Sequence, residues 1–384
     1  MAQPTKARAR LVGIDVLRGA AALAVVLVHG RGDLWVGLSK LWDQFGISAN
    51  PTAILGYLSA PIRFGGLGVQ LFFVLSGYCI HRRAAIALTT EPTFKLDYRQ
   101  YALRRIWRIY PAYLFAILLT FCIDFCVSNY MGITHRADRD YSGFAMLSNT
   151  VFLQGFATFM FGSNTPFWTL AIEMQFYLFY PVLLFISRRW GAHRCLTFAF
   201  SVSLTYVIAN RLLDIDSFFP HRHHSGGPTF IAFLFTWTFG AYIADVEAGR
   251  APLWRSAKYL AIPAMAGAMV LDLVKYKDFA EFGYALAFSV LTWWVIQPER
   301  QWVSRTSRVF AWLGIFSYSL YLTHRPFFQL WKGLATDKRS ISLLPTFGAC
   351  GFAIGGAYVF YWAFEKWTTK LPNWLKHPLG MTQQ

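Results

Sequence analysis

The stretch LVGIDVLRGAAALAVVLVHG, residues 11–30, is long enough to cross a membrane, yet it contains an Asp, an Arg and a His. Charged groups inside a bilayer are costly, and those that persist generally face the protein interior and serve a function. Arg18 and His29 are eleven residues apart. That separation is about three helical turns, so both lie on one helix face, about 16 Å apart along the axis. Asp15 precedes Arg18 by three residues, a spacing that allows an ion pair.

The composition indicates a membrane protein. Of the 384 residues, 55% are hydrophobic and 14% are charged, whereas soluble domains carry about 25% charged residues. A net charge of +17 would favour nucleic acid as a ligand. A nucleic-acid-binding domain would not contain so many apolar runs, however, and membrane proteins collect Lys and Arg in cytoplasmic loops. We therefore expect contact with membrane lipid and no nucleic-acid partner.

Ten apolar segments are candidates for transmembrane helices, which need about 20 residues to cross. They are roughly residues 11–29, 64–80, 106–127, 167–187, 195–209, 228–245, 258–274, 282–297, 309–330 and 342–364. Another apolar segment, 146–162, is predicted to be re-entrant or interfacial on the outer side. The predicted fold is therefore all-α, a polytopic membrane helix bundle with about ten transmembrane helices.

The distribution of basic residues predicts the orientation of this bundle. If the N-terminus is cytoplasmic, the inner segments hold 22 Lys and Arg and the outer segments hold 13. Each inner segment has at least three of them. This is the positive-inside bias, and it predicts that both termini are cytoplasmic.

A polar stripe runs along NTPFWTLAIEMQFYLFYP, residues 164–181. Its members, at positions i, i+4, i+8 and i+11, are Thr169, Glu173, Tyr177 and Tyr180. Glu173 is predicted to lie at a depth similar to that of His29. A carboxylate beside an imidazole orients the ring and raises its basicity, as general-base catalysis requires. The alternative is a glutamate that only hydrogen-bonds to neighbouring helices.

Two further stretches carry polar groups at helical spacing. GIFSYSLYLTHRPF, residues 314–327, places Ser317, Tyr321 and His324 on one face near the outer side. These side chains are suited to binding sugar hydroxyls, or they belong to an interfacial aromatic belt. YRQYALRRIWRIYP, residues 98–111, places three arginines at the cytoplasmic start of the third span, namely Arg104, Arg105 and Arg108. The arginine fork suits phosphate, and the alternative is ordinary positive-inside anchoring.

Other sequence features limit the function class. The loop FPHRHHSGGP contains His221, His223 and His224 without a Cys or carboxylate at ligand spacing, so no metal site is predicted. No GxxxxGK[ST] motif occurs, and ATP-driven transport is therefore not indicated. Three glycines before the second span allow a bend or close backbone approach, namely Gly65, Gly66 and Gly68.

Taken together, these segments resemble the integral-membrane acyltransferase family 3. That family is marked by an Arg, ten residues and a His in the first helix, which here are Arg18 and His29. The other similar segments are FFVLSGY (72–78), RRIWRIYPAY (104–113), FWTLAIEMQFYLFYP (167–181) and SYSLYLTHRP (317–326). They occur in order along nearly the whole chain. Many members add a C-terminal esterase-like domain, and this sequence resembles the stand-alone form.

The resemblance implies transfer of an acyl group, usually acetyl, from cytoplasmic acyl-CoA to a hydroxyl of an extracytoplasmic or lipid-linked glycan. It implies location in the bacterial cytoplasmic membrane. Residues 1–370 would form the membrane acyltransferase domain, and residues 371–384 a short cytoplasmic tail. By the same analogy, the essential site residues are Arg18, His29 and Glu173.

On this interpretation acetyl-CoA is the co-substrate, and its phosphates contact Arg104, Arg105 and Arg108. The acceptor is expected to contact Trp168, Tyr177, Tyr321 and His324. His29 acts as a general base with its ring oriented by Glu173, or it accepts the acyl group itself. Interior charges also suit a multi-pass transporter or flippase of a glycan or small solute, and a receptor or structural membrane protein is a further alternative.

Overall fold

The computed structural model describes residues 6–91, 93–133, 139–219, 228–254, 256–297, 304–335, 338–370 and 372. The loop histidines at 221, 223 and 224 and nearly all of the tail 371–384 lie outside these ranges. Within them, regular structure is helical apart from three isolated β-bridges. The all-α prediction is therefore confirmed for the described part of the chain.

The described α-helices vary widely in length. In chain order they are α1 Lys6–Leu34, α2 Leu38–Phe45, α3 Pro51–Leu58, α4 Gly68–Thr90, α5 Tyr98–Tyr130, α6 Gly143–Thr150, α7 Phe167–Trp190, α8 Ala192–Leu213, α9 Leu234–Glu247, α10 Ala257–Leu273, α11 Lys277–Val295, α12 Arg305–Ile315, α13 Ser317–Leu334 and α14 Leu344–Phe360. Short 3₁₀ and π turns extend several of them, including the one that carries α14 onward through Glu365.

Six described helical segments are long and apolar enough to cross a membrane. They are Val12–Leu34, Pro51–Thr90, Tyr98–Tyr130, Phe167–Trp190, Ala192–Leu213 and Leu344–Thr369. The protein is accordingly an integral membrane protein. The other predicted spans are also helical. α9 has 14 residues, or about 21 Å against a hydrocarbon core of about 30 Å, and α10 and α11 have 17 and 19. Ten spans and two cytoplasmic termini stay predictions.

The predicted ninth span, 309–330, is not one helix but the pair α12 and α13, with Phe316 between them. The carboxylate of Glu365 accepts hydrogen bonds from the Ser319 backbone N at 3.1 Å and its hydroxyl at 2.6 Å. A carboxylate at this position accepts from unpaired donors in the first turn of α13, and its negative charge interacts favourably with the positive end of the helix dipole. Arg108 of α5 in turn donates to Glu365 at 2.7 Å. This ion pair, whose acid is fully buried, fixes the start of α13.

The segment 146–162 folds against the outside of α5 instead of forming a span. It consists of the end of α6 and a loop, and several of their polar groups bond to α5 and to the start of α7. Tyr113 of α5 donates to the Asn149 carbonyl at 2.9 Å, and Gln154 donates to the Tyr113 hydroxyl at 3.1 Å and to the Phe167 carbonyl at 2.9 Å. Non-helical backbone at membrane depth requires such internal partners.

Helix α1 lies at the centre of the bundle, in contact with α4, α12, α13 and α14. The 3₁₀ turn before α4 approaches it closely. A Cβ atom on Gly65 or Gly68 would collide with the carbonyl oxygens of Ala24 or Ala21 on α1. The expected close backbone approach is therefore confirmed at these two glycines, whereas Gly66 faces open space.

Helices α4 and α9 cross just as closely, which makes one glycine a test of the packing. A Cβ on Gly77 would collide with the Trp237 carbonyl, whereas a Cβ on Gly355 of α14 would meet no atom of a packed neighbour within 4 Å in the described part of the protein. We expect Gly77→Ala to destabilise the protein by about 1–3 kcal/mol through overpacking, and Gly355→Ala to leave stability unchanged. Thermal unfolding of the detergent-solubilised variants measures this. Equal unfolding temperatures for Gly77→Ala and Gly355→Ala would contradict the close crossing of α4 and α9.

Candidate functional site

A cavity of about 460 Å³ lies between α1, α4, α5, α7, α12 and α13. This volume falls within the range of about 300–1,000 Å³ that is typical of small-molecule sites. Its walls are mostly apolar. The charged side chains that line it are Asp15, Arg18, Arg105, Arg108 and Glu173.

Arg18 enters the cavity from α1. Its guanidinium lies 3.5 Å from the Asp15 carboxylate, so the predicted pair is confirmed, and it donates to the Cys79 sulfur at 3.3 Å. The Glu173 carboxylate is close enough to interact with it electrostatically. About 37% of the Arg18 side chain stays exposed to the cavity. Arg18 is therefore held from the protein side and remains accessible to a bound molecule.

Glu173 of α7 faces α4 and the cavity. It accepts a hydrogen bond from the Ser76 hydroxyl at 3.0 Å and another from the Tyr177 hydroxyl. These bonds take the place of the expected contact with His29, so in this structure Glu173 does not orient that ring. The reason is depth, because Glu173 lies at the level of Arg18, about three helical turns along α1 from His29.

His29 instead meets His324 of α13. Its Nδ1 lies 2.8 Å from His324 Nε2, and the two rings are nearly coplanar. His324 is fully buried, while His29 is partly exposed. His324 was expected to bind the acceptor, but it does not line the cavity, and its Nδ1 lies within hydrogen-bond distance of the backbone carbonyls of Leu320 and Tyr321.

A buried ion pair lies next to the two histidines. The Arg325 guanidinium donates to the Asp33 carboxylate at 2.6 Å, and the Lys332 ammonium lies 3.7 Å from the same carboxylate. Asp33 is one turn beyond His29 on α1, and Arg325 directly follows His324 on α13. The pair therefore fixes the register of α1 against α13. Neither Asp33 nor Arg325 was singled out from the sequence.

Two aromatic rings close the end of the cavity nearest to the histidines. Tyr321 and Phe72 pack edge to face with ring centroids 5.8 Å apart. The Tyr321 hydroxyl accepts a hydrogen bond from Thr169 at 2.9 Å, and its ring centroid lies 5.9 Å from that of His324. Of the residues predicted to contact the acceptor, Tyr321 and Tyr177 line the cavity. Trp168 does not line it, and its ring packs against Phe233.

The three arginines of α5 differ in their surroundings. Arg104 is buried, bonds to Gln100 at 3.3 Å and lies outside the cavity wall. Arg108 lines the cavity but is neutralised by Glu365. Arg105 lines it too, and its buried Nε has no hydrogen-bond partner among the described residues. Arg105 is therefore a cavity-lining arginine with an unsatisfied donor and no carboxylate paired with it among the described residues.

Sequence reasoning missed three residues of this site. Ser76 and Cys79 line the cavity from α4. Together with Phe72 they are spaced i, i+4 and i+7, a helical face that the polar pattern could have indicated. Glu365 was missed because it directly follows the tenth apolar segment. A single acidic residue at the end of an apolar segment is the sequence pattern that could have indicated it.

Several known proteins are similar to this chain. It is 25% identical over 338 residues to the peptidoglycan O-acetyltransferase OatA of Listeria monocytogenes, covering 83% of this chain and 49% of that protein. It is 32% identical over 199 residues to the O-acetyltransferase OatA of Staphylococcus aureus, covering 50% and 28%. It is 26% identical over 262 residues to nodulation protein 10 of Rhizobium leguminosarum, covering 65% of each.

The chain thus spans about half the length of the Listeria relative. No solved structure matches it. The family model for the acyltransferase 3 domain matches residues 11–362, a stretch that includes every charged residue of the cavity and both paired histidines. The chain therefore belongs to the acyltransferase 3 family.

Proposed function

We propose that this protein is a membrane-bound O-acyltransferase that moves an acyl group, most simply acetyl, from cytoplasmic acyl-CoA to a hydroxyl of an extracytoplasmic or lipid-linked glycan. The observation that carries the proposal is the cavity. It has arginines at one end and Arg18 and Glu173 in its wall. The Tyr321 ring in that wall lies 5.9 Å from the ring of His324, the hydrogen-bond partner of His29.

Arg105 and Arg108 form the donor end. The phosphates of acyl-CoA are strongly anionic and cannot enter lipid, so they stay at the membrane surface. The buried Nε of Arg105 has no hydrogen-bond partner in the described part of the chain, and a guanidinium binds phosphate oxygens through paired hydrogen bonds. Arg108 contributes less to phosphate binding because Glu365 already neutralises it. Placing this end at the cytoplasm agrees with the basic residues of the predicted inner segments.

Arg18 and Glu173 act in the middle of the cavity. The apolar walls accommodate the thin pantetheine arm of the donor. Arg18, held by Asp15 and Cys79, steadies the thioester carbonyl and stabilises the negative charge that develops on its oxygen. Glu173 holds the wall of α7 against Ser76 and balances the charge of Arg18 when no donor is bound.

His29 acts on the acceptor. It takes the proton from the glycan hydroxyl as that oxygen bonds to the thioester carbonyl carbon. The carbon–sulfur bond then breaks, and His29 returns the proton to the departing CoA thiolate. For this step the rings of Phe72 and Tyr321 rotate away from the end of the cavity, so that the thioester reaches His29.

The relatives support the acceptor class. Two of them carry names that specify O-acetylation, and one name specifies peptidoglycan. Peptidoglycan is a glycan outside the cytoplasmic membrane. All three relatives are bacterial, which supports location in a bacterial cytoplasmic membrane. The excess of Lys and Arg in the predicted inner segments supports cytoplasmic termini.

The direct test uses purified protein in proteoliposomes with labelled acetyl-CoA and a glycan acceptor. We expect His29→Ala to lower acyl transfer by about 100-fold or more, as loss of a general base does. His193→Ala is the matched control, because His193 is exposed on α8 outside the cavity. Full transfer by folded His29→Ala would contradict the mechanism. Solute uptake without any acyl chemistry would instead support a transporter.

Arg105 is tested by substrate dependence. We expect Arg105→Gln to raise the KM for acetyl-CoA about tenfold or more, because hydrogen bonds to charged groups are worth about 1.5–3 kcal/mol. Its kcat should change little, since the contact is the same in ground and transition states. Arg99→Gln is the control, because Arg99 is exposed on the same helix and outside the cavity wall. An unchanged KM for Arg105→Gln would remove Arg105 from the donor site.

Cys79 reports on occupation of the cavity. In a background with exposed Cys122 and Cys126 replaced by Ser, we expect a small hydrophilic thiol reagent to modify Cys79, because its sulfur lies in the cavity wall beside Arg18. Excess CoA should slow the reaction about tenfold by mass action. Mass spectrometry of the labelled peptide measures the rate. Modification of Cys79 at the same rate with and without CoA would show that CoA binds elsewhere.

A further inference from the structure

The contact between His29 and His324 has a geometry that determines which nitrogen carries a proton. The ring planes differ by 5°, the centroids are 5.1 Å apart, and His29 Nδ1 lies 2.8 Å from His324 Nε2. The centroids are too far apart for face-to-face stacking at this nitrogen separation, so the rings meet end to end through one hydrogen bond. In a neutral imidazole one nitrogen donates and the other accepts.

The second nitrogen of His324 settles its tautomer. His324 Nδ1 lies 2.9 Å from the Tyr321 carbonyl and 3.1 Å from the Leu320 carbonyl. A carbonyl oxygen only accepts, so this hydrogen-bond network assigns the hydrogen to Nδ1. The ring is fully buried, and burial disfavours the charged form with two protons. His324 Nε2 is therefore an acceptor.

The tautomer of His29 follows from that of His324. Since His324 Nε2 accepts, His29 Nδ1 donates to it and carries the hydrogen. The lone pair of His29 then lies on Nε2, at the opposite end of the ring. His29 is also the partly exposed member of the pair, so this Nε2 is the nitrogen available to a substrate.

We propose that His324 is a positioning residue that holds His29 in the tautomer with Nδ1 protonated and Nε2 free to take the proton of the acceptor hydroxyl. The assignment rests on the proposed transferase function and deepens it. In many general-base sites a carboxylate fixes the imidazole tautomer, and Glu173 was expected to do so here. The buried imidazole of His324 takes that role, while Glu173 lies in the cavity wall near Arg18.

Three features keep the pair in place. The Nδ1 of His324 is tied to its own helix backbone. The buried pair of Asp33 and Arg325 locks α1 against α13 within one turn of both histidines. When His29 gains its second proton, its Nδ1–H bond to a neutral acceptor persists, so the ring keeps its orientation throughout the transfer.

The first test compares two substitutions at the same position. His324→Leu removes the acceptor, and we expect kcat for acyl transfer to fall about 100-fold, with the KM for acetyl-CoA changed less than about twofold. His324→Gln supplies an amide oxygen that accepts from His29 Nδ1, and it should retain activity within about tenfold of the native protein. A native kcat for His324→Leu, or equal losses for Leu and Gln, would overturn the assignment.

The second test needs no altered His324. ¹⁵N NMR of protein labelled at histidine, with the His29 signals identified by their loss in His29→Asn, reports which nitrogen is protonated. We expect a protonated Nδ1 and an unprotonated Nε2 on His29, and the reverse would overturn the proposal. Because this measurement uses native His324, it remains decisive even if His324→Leu does not fold. If native protein lacks transferase activity, or His29→Ala retains it, the proposed function fails. If His29→Ala is inactive but His324→Leu is not, only the role of His324 fails.

Discussion

The polar face of α1 constrains the whole bundle, because polar groups in apolar surroundings need partners inside the protein. Arg18 finds Asp15 on its own helix and Cys79 on α4. His29 finds its partner on α13. Helices α4 and α13 must therefore pack against α1, and the glycines at the start of α4 permit the close approach. The cavity forms where these helices diverge from α5 and α7.

The site is divided into two levels along α1. Arg18 and Glu173 belong to the level that the cavity reaches, and the two histidines belong to the other. In the proposed reaction this separation matches two substrates of different character. An anionic donor enters from one side, and an uncharged hydroxyl arrives from the other. The acyl group is the only part that has to pass between the levels.

The helices, their polar faces and the local Asp15–Arg18 pair could be predicted from sequence, because periodicity of 3.6 residues determines what shares a face. Which faces then meet could not be predicted in this way. Glu173 was expected beside His29 because both were placed at one depth, but it lies at the level of Arg18, where Ser76 donates to it. His29 and His324 are 295 residues apart. The break before α13 depends on Glu365, which is distant in sequence, so nothing within the predicted span 309–330 itself indicates the break.

The edge-to-face contact of Phe72 and Tyr321 has a consequence for the cell that contains this protein. A passage that connected the arginine end with the opposite side of the bundle would be a water-filled pore, and protons and other ions would leak through it down their electrochemical gradient. A pair of packed aromatic rings leaves no room for a file of water molecules. In this conformation the packed rings therefore keep the cavity from conducting ions, and the bilayer stays electrically insulating.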